Sequence, residues 1–125
     1  METFKLDLPP ALNSVYRSAY INGHVVTYKS KEAKAYCEYV QYTLSRVKPT
    51  DSNVHLHFEF LFRRDRDIDS SLKVLLDAFS GYIYKDDKQI TRLDVWKYKL
   101  DKNSSIAPCV VVKYRLEELA TDVPF

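Results

Sequence analysis

The chain has 125 residues, of which 46% are hydrophobic and 29% charged, with a formal net charge of +2. That is one domain's worth of sequence, 1–125, with enough apolar side chain for a core, and its weak basicity does not by itself announce a nucleic-acid binder. No run approaches the roughly 18 apolar residues of a membrane span, and the start Met1-Glu2-Thr3-Phe4-Lys5 lacks a signal peptide's basic and apolar regions, so the expectation is a cytoplasmic protein with no membrane partner.

Residues 3–8 alternate and predict a strand, which Pro9-Pro10 stops because proline cannot donate to a ladder. Asn22-Gly23 between Ala19-Tyr20-Ile21 and His24-Val25-Val26 predicts a hairpin, since a type I′ turn requires positive φ at both central residues. Ser30 is placed to cap a helix to about Val47, with Ala33, Tyr36, Cys37, Val40, Leu44 and Val47 on one face. Val54 to Phe62 alternates Val, Leu, Phe, Phe, Phe against His55, His57, Glu59 and Leu61, a strand with one buried face. Arg63 to Ile68 leaves the sheet. A second helix follows from Ser70 to Ser80, with Leu72, Leu75, Leu76 and Phe79 inward and Gly81 beyond its C-cap. Ile90–Leu100 and Ile106–Leu116 read as two more strands, and the tail after Leu116 as a short helix. The two cysteines, Cys37 and Cys109, lack disulfide or zinc-type spacing and read as reduced, partly buried thiols. The whole predicts an α+β fold, a mixed sheet with two main helices packed on one face.

The chemically informative stretch runs from Arg63 to Gln89. Asp65, Asp67 and Asp69 alternate at the end of a strand, and if the backbone stayed extended they would share a face. Carboxylates stacked so closely repel unless something neutralises them, and a hard divalent cation such as Mg²⁺ takes oxygen ligands. In phosphodiester cleavage such an ion polarises the phosphate, activates water or stabilises the leaving oxygen. Each residue also has a plainer reading. Asp69 fits a helix N-cap, Asp65 a solvated charge beside Arg64 and Arg66, and Asp86-Asp87 an ordinary turn; Asp67 alone has no evident structural need. Arg63, Arg64 and Arg66 suit either local ion pairs or phosphate binding. Lys73 lies four residues after Asp69 and four before Asp77, as a salt bridge or as an ammonium reaching a phosphate. His55 and His57 share a strand face but have no third ligand for zinc.

Taken together, Arg66-Asp67-Ile68-Asp69, then Lys73, Asp77-Ala78 and Asp86-Asp87-Lys88-Gln89, resemble the Arg-Asp-Leu-Asp-Asn, helix Lys, helix Asp-Ala and Asp-Asp-x-Gln pattern of the RusA family of Holliday junction resolvases. Leu8-Pro9-Pro10, Asn13 and Tyr16-Arg17 resemble the family's N-terminal motif, and the likeness covers about residues 5 to 115. Ser70 stands where the family has Asn. The resemblance implies a small homodimeric endonuclease that uses Mg²⁺, with Mn²⁺ able to substitute, and no small-molecule cofactor. It implies paired nicks in a four-way DNA junction. It assigns catalysis to Asp67, Asp69, Asp87 and Lys73, the metal to the three acids, and DNA contacts to Arg63, Arg64 and Arg66. The alternatives are a degenerate module that binds junctions or single strands without cutting, and a general phosphodiesterase or Ca²⁺-stabilised protein. Clustered acids repel DNA and argue against the first, and the acid spacing does not fit an EF-hand loop.

Overall fold

A computed structural model of the chain describes residues 1–10 and 16–117. In chain order it contains β1 (Glu2–Leu6), β2 (Tyr16–Ile21), β3 (His24–Lys29), α1 (Lys31–Thr43), β4 (Asn53–Phe62), α2 (Ile68–Phe79), β5 (Ile90–Lys99) and β6 (Cys109–Glu117), with a 3-10 turn at Asp87–Gln89 before β5. Four strands form one sheet in the order β1-β6-β4-β5, and β2 and β3 form a separate hairpin. The β4–β5 pair is parallel and the other two pairs are antiparallel. A parallel pair needs a crossover, and α2 supplies it. The predicted mixed sheet with two helices on one face is the fold observed.

The core grows from β4, one of the two interior strands. Val54, Leu56, Phe58, Phe60 and Phe62 are each at most 1% exposed, so alternation in sequence has become one dry face. Phe58, Phe60 and Phe62 stack in a row, and Phe79 of α2 lies 5.9 Å from the Phe58 ring. Leu75, Ala78 and Phe79 from α2, Ala33, Tyr36, Cys37 and Val40 from α1, and Leu44 just beyond it close the same cluster. Full burial of one such side chain contributes about 1.5–3 kcal/mol, so this row fixes α2 firmly against the sheet. Both cysteines are free thiols, Cys37 buried and Cys109 half-buried.

Local signals act where expected. The Ser30 hydroxyl accepts from Ala33 N–H at 3.2 Å and starts α1. Asn22 and Gly23 take φ of 50° and 79° and pair Ile21 with His24. Gly81 has φ of 87° just past the end of α2. Several boundaries differ, and β1 ends at Leu6 rather than Leu8. α1 ends at Thr43, with Leu44 to Val47 forming turns beyond it. β6 begins at Cys109, because Pro108 cannot donate to a ladder. α2 begins at Ile68, two residues earlier than the spacing suggested, which changes how the acids are presented. The predicted tail helix and Asn13 lie outside the described residues. No helix among the described residues is long and apolar enough to cross a membrane.

Candidate active site

β4 ends at Phe62, and the charged segment after it is folded back onto the sheet by its own side chains. Lys97 Nζ of β5 donates to Asp65 Oδ1 at 2.8 Å and to the Arg66 carbonyl at 3.3 Å. The Asp65 carboxyl is held below its usual range, first by that hydrogen bond and then by the Lys97 charge. Asp65 is thus an ion-paired structural acid. Arg66 lays its guanidinium 4.9 Å from the Phe62 ring centroid and donates to the Pro9 carbonyl at 2.8 Å. Partial burial there lowers the Arg66 pKa from its usual value. The Pro-Pro element and the acid segment, 57 residues apart, are therefore joined through one arginine.

Asp67 occupies the N-cap position of α2, against the expectation that it has no capping place, yet its carboxylate makes no capping hydrogen bond. Asp69 lies inside the first helical turn and accepts from the neighbouring Ser70 N–H at 2.9 Å. Because the helix begins at Ile68, the three acids do not share an extended face; the helix instead gathers Asp67 and Asp69 at its N-terminus, where aligned peptide dipoles favour negative charge. Ser70 Oγ donates to the Asp67 carbonyl at 3.3 Å and closes the first turn. Both carboxylates are exposed, as is Lys73 one turn further on.

The other acids lie at the far end of α2. Asp86 caps the 3-10 turn, accepting from Lys88 N–H at 3.0 Å, while Gln89 Oε1 accepts from Asp86 N–H at 2.9 Å in a reciprocal capping box. Gln89 Nε2 also donates to the carbonyls of Thr50 and Ser52 at 2.7 and 2.8 Å, which pins the turn to the start of β4. Asp86 is committed to this framework and Asp87 is not. A hydrogen bond shared with Asp86 is the largest cause raising the Asp87 pKa, and the charges of Asp86 and Asp77 add to it. Asp77, read from sequence as a salt-bridge partner of Lys73, thus bears on Asp87.

The structure therefore brings Asp67 and Asp69 together at the start of α2, just after the end of β4 at Phe62, whereas Asp87 stands just before Ile90, which pairs with Val54 at the other end of β4. From Asp69 to Asp77 the helix rises about 12 Å, at 1.5 Å per residue. Among the described residues no three His, Cys, Asp or Glu side chains converge closely enough to hold an ion. The donor chemistry nonetheless fits a hard divalent cation: exposed carboxylate oxygens, one unused as a cap and one crowded by like charge. Of the basic residues, Arg64 is exposed, and Arg63 donates to the Ile106 carbonyl at 3.0 Å.

Sequence reasoning missed Lys97, which organises the acid segment from 32 residues away and carries no local signal. It also missed what the two histidines do. His55 Nε2 lies 2.7 Å from Asp94 Oδ2 and His57 Nε2 lies 3.4 Å from Glu59, so each is paired with an acid rather than with the other.

A model of the family described as endodeoxyribonuclease RusA matches residues 8–113, most of the chain. A search of curated proteins finds no match.

Proposed function

The chain belongs to the endodeoxyribonuclease RusA family, a family that acts on branched DNA, and from that premise we propose a Mg²⁺-dependent homodimer that resolves four-way junctions by paired nicks. Asp67 and Asp69 of one copy and Asp87 of the other hold the ion, and Lys73 and Arg64 meet the phosphate. The observation that carries the reading is the Asp67 carboxylate, exposed at a helix N-terminus and unused as a cap. The separation along β4 supports a site shared between copies. Mg²⁺ holds its oxygens at about 2.0–2.1 Å, so two ligand atoms lie about 4 Å apart at most, far less than the length of β4 that separates Asp87 from Asp67 and Asp69. A two-fold dimer matches both this need and the two-fold symmetry of a junction.

The bound cation supplies Lewis-acid polarisation of the phosphate and an activated water. The chain's own residues do the rest. Phe62 stacking and the Pro9 carbonyl fix Arg66, which positions the backbone carrying Asp67. Lys97 anchors the preceding residue pair. Lys73, one turn from Asp69, places an ammonium where charge develops on a phosphate bound at the helix N-terminus.

The test is cleavage of a synthetic four-way junction against linear duplex, with Mg²⁺ or EDTA, by wild type and Asp67→Asn. Asn caps as well as Asp, and the lost dipole interaction is worth about 0.3–1 kcal/mol, so the variant stays folded. Paired, Mg²⁺-dependent nicks that fall by at least ~100-fold in the variant, the scale of removing one electrostatic group from a reaction site, with junction binding retained, are expected. Cleavage near the wild-type rate in Asp67→Asn would sink the assigned role, and junction binding without cutting by wild type would favour the degenerate binder.

A further inference from the structure

β4 and β5 end side by side, and their ends frame a cleft of about 500 Å³ lined by Arg63, Lys99, Leu100, Asp101 and Lys102. The cleft is a built feature of the fold. Leu100 N–H donates to the Phe62 carbonyl at 2.7 Å, which holds the end of β5 against the end of β4. Arg63 is anchored at the cleft by one bond to the Ile106 carbonyl and keeps its other guanidinium N–H groups available. Three cations thus face one acid. Among the described residues, none of Arg63, Lys99 or Lys102 has a carboxylate within 4.0 Å, whereas Lys97, two residues earlier, is taken by Asp65 at 2.8 Å. Like charges gathered in a concavity repel one another, and a polyanion relieves that repulsion.

We propose that this cleft is a phosphate-binding site distinct from the cleavage acids, and that it takes the sugar-phosphate backbone of a duplex DNA arm. The proposal rests on reading the chain as a branched-DNA endonuclease and adds Lys99 and Lys102 to its DNA contacts. Position supports it. The five residues from Phe62 to Asp67 span at most about 17 Å. Phosphates on one strand recur every ~3.4 Å of helix axis, so the cleft lies within reach of an arm's backbone about five nucleotides from a scissile phosphate at Asp67. Arg63 offers a planar fork to phosphate oxygens and the two lysines offer point charges, so the contact orients an arm without reading its bases.

The experiment is anisotropy titration of a labelled four-way junction in EDTA, from about 50 to 200 mM salt, where each lost phosphate contact makes the slope of log K against log salt shallower by ~0.9. The variants are Lys99→Ala/Lys102→Ala, Lys102→Gln alone, and Lys31→Ala/Lys34→Ala, which removes the same charge from the exposed side of α1. The cleft double variant is expected to be shallower by about 2 and Lys102→Gln by about 1, with the α1 pair unchanged. Unchanged slopes in the cleft variants, or an equal change in the α1 pair, would overturn the cleft while wild-type binding and cutting keep the nuclease reading intact. Wild type that binds no junction at any salt would overturn both.

Discussion

Mixing two inactive proteins, Asp67→Asn and Asp87→Asn, is expected to restore nicking that neither has alone. The argument is geometric. Asp67 and Asp69 follow the end of β4 at Phe62, Asp87 precedes Ile90, which pairs with Val54 at the other end of β4, and ligand oxygens on one Mg²⁺ lie about 4 Å apart at most. Within one copy, Asp67 and Asp87 could share an ion only if α2 came away from the Phe58 and Phe79 stack that holds it. If two copies share each site, a mixed dimer has one site with both substitutions and one with neither. Equal mixing makes about half the dimers mixed, so about a quarter of all sites are intact. Junctions should then be nicked at roughly that fraction of the wild-type rate, on one strand per encounter rather than in opposed pairs. The assay is gel separation of nicked and fully resolved junction after the two proteins are co-refolded or co-expressed. If each chain instead built its own site, every site in the mixture would carry one lesion. A mixture as inactive as its parents, with subunit exchange verified, would refute the shared site.

Two further substitutions test the framework. The Asp94 carboxyl is held below its usual range, chiefly by its hydrogen bond with His55 and then by Arg92; a depressed folded value adds stability above the unfolded pKa of about 4 and loses it as pH falls through the folded value. Asp94→Asn should therefore lower Tm at pH 7 and converge on wild type in acid, and a gap that stays constant in melts down to about pH 3 would show that the charge is idle. Gly81→Ala meets no atom within 4 Å but must hold φ of 87°, so the cost is backbone strain alone, about 1–2 kcal/mol, read as a fall in denaturant midpoint with unchanged slope; no change would mean the turn relaxes freely.

How much of this was legible follows from where the information lies. Elements marked by local chemistry came through: the Asn22-Gly23 turn, the Ser30 cap, the Gly81 helix end and the alternating face of β4. Each depends on residues a few positions apart. The parallel pairing of β4 with β5, and the placing of β6 between β1 and β4, depend on contacts across the whole chain and left no local trace. At the site, the motif named the acids, but its extended-strand picture failed because the helix reaches back to Ile68 and turns Asp67 into an N-cap. The partners that position those acids, Lys97 and the Pro9 carbonyl, come from distant segments and could not be read from spacing.

The acids between Asp65 and Asp87 separate by what each is already bonded to. Asp65 has Lys97, and Asp86 has the Lys88 amide. Each makes the bond that a purely structural acid makes, and each lies next to a residue that does not. Asp67 makes no capping bond, although it stands where one is usual. Asp87 is crowded by two other carboxyls, an arrangement that raises its pKa and that nothing in the local framework requires. A fold selected only for stability would pair these groups or replace them, since uncompensated like charge is a cost. The motif already set Asp67 apart from Asp65, but the adjacent pair Asp86-Asp87 left open which carboxylate is free. Bonding separates Asp86 from Asp87, and it leaves Asp67 and Asp87, two of the three acids that the family pattern assigns to the metal, without a backbone partner among the described residues; the third, Asp69, accepts from the Ser70 N–H.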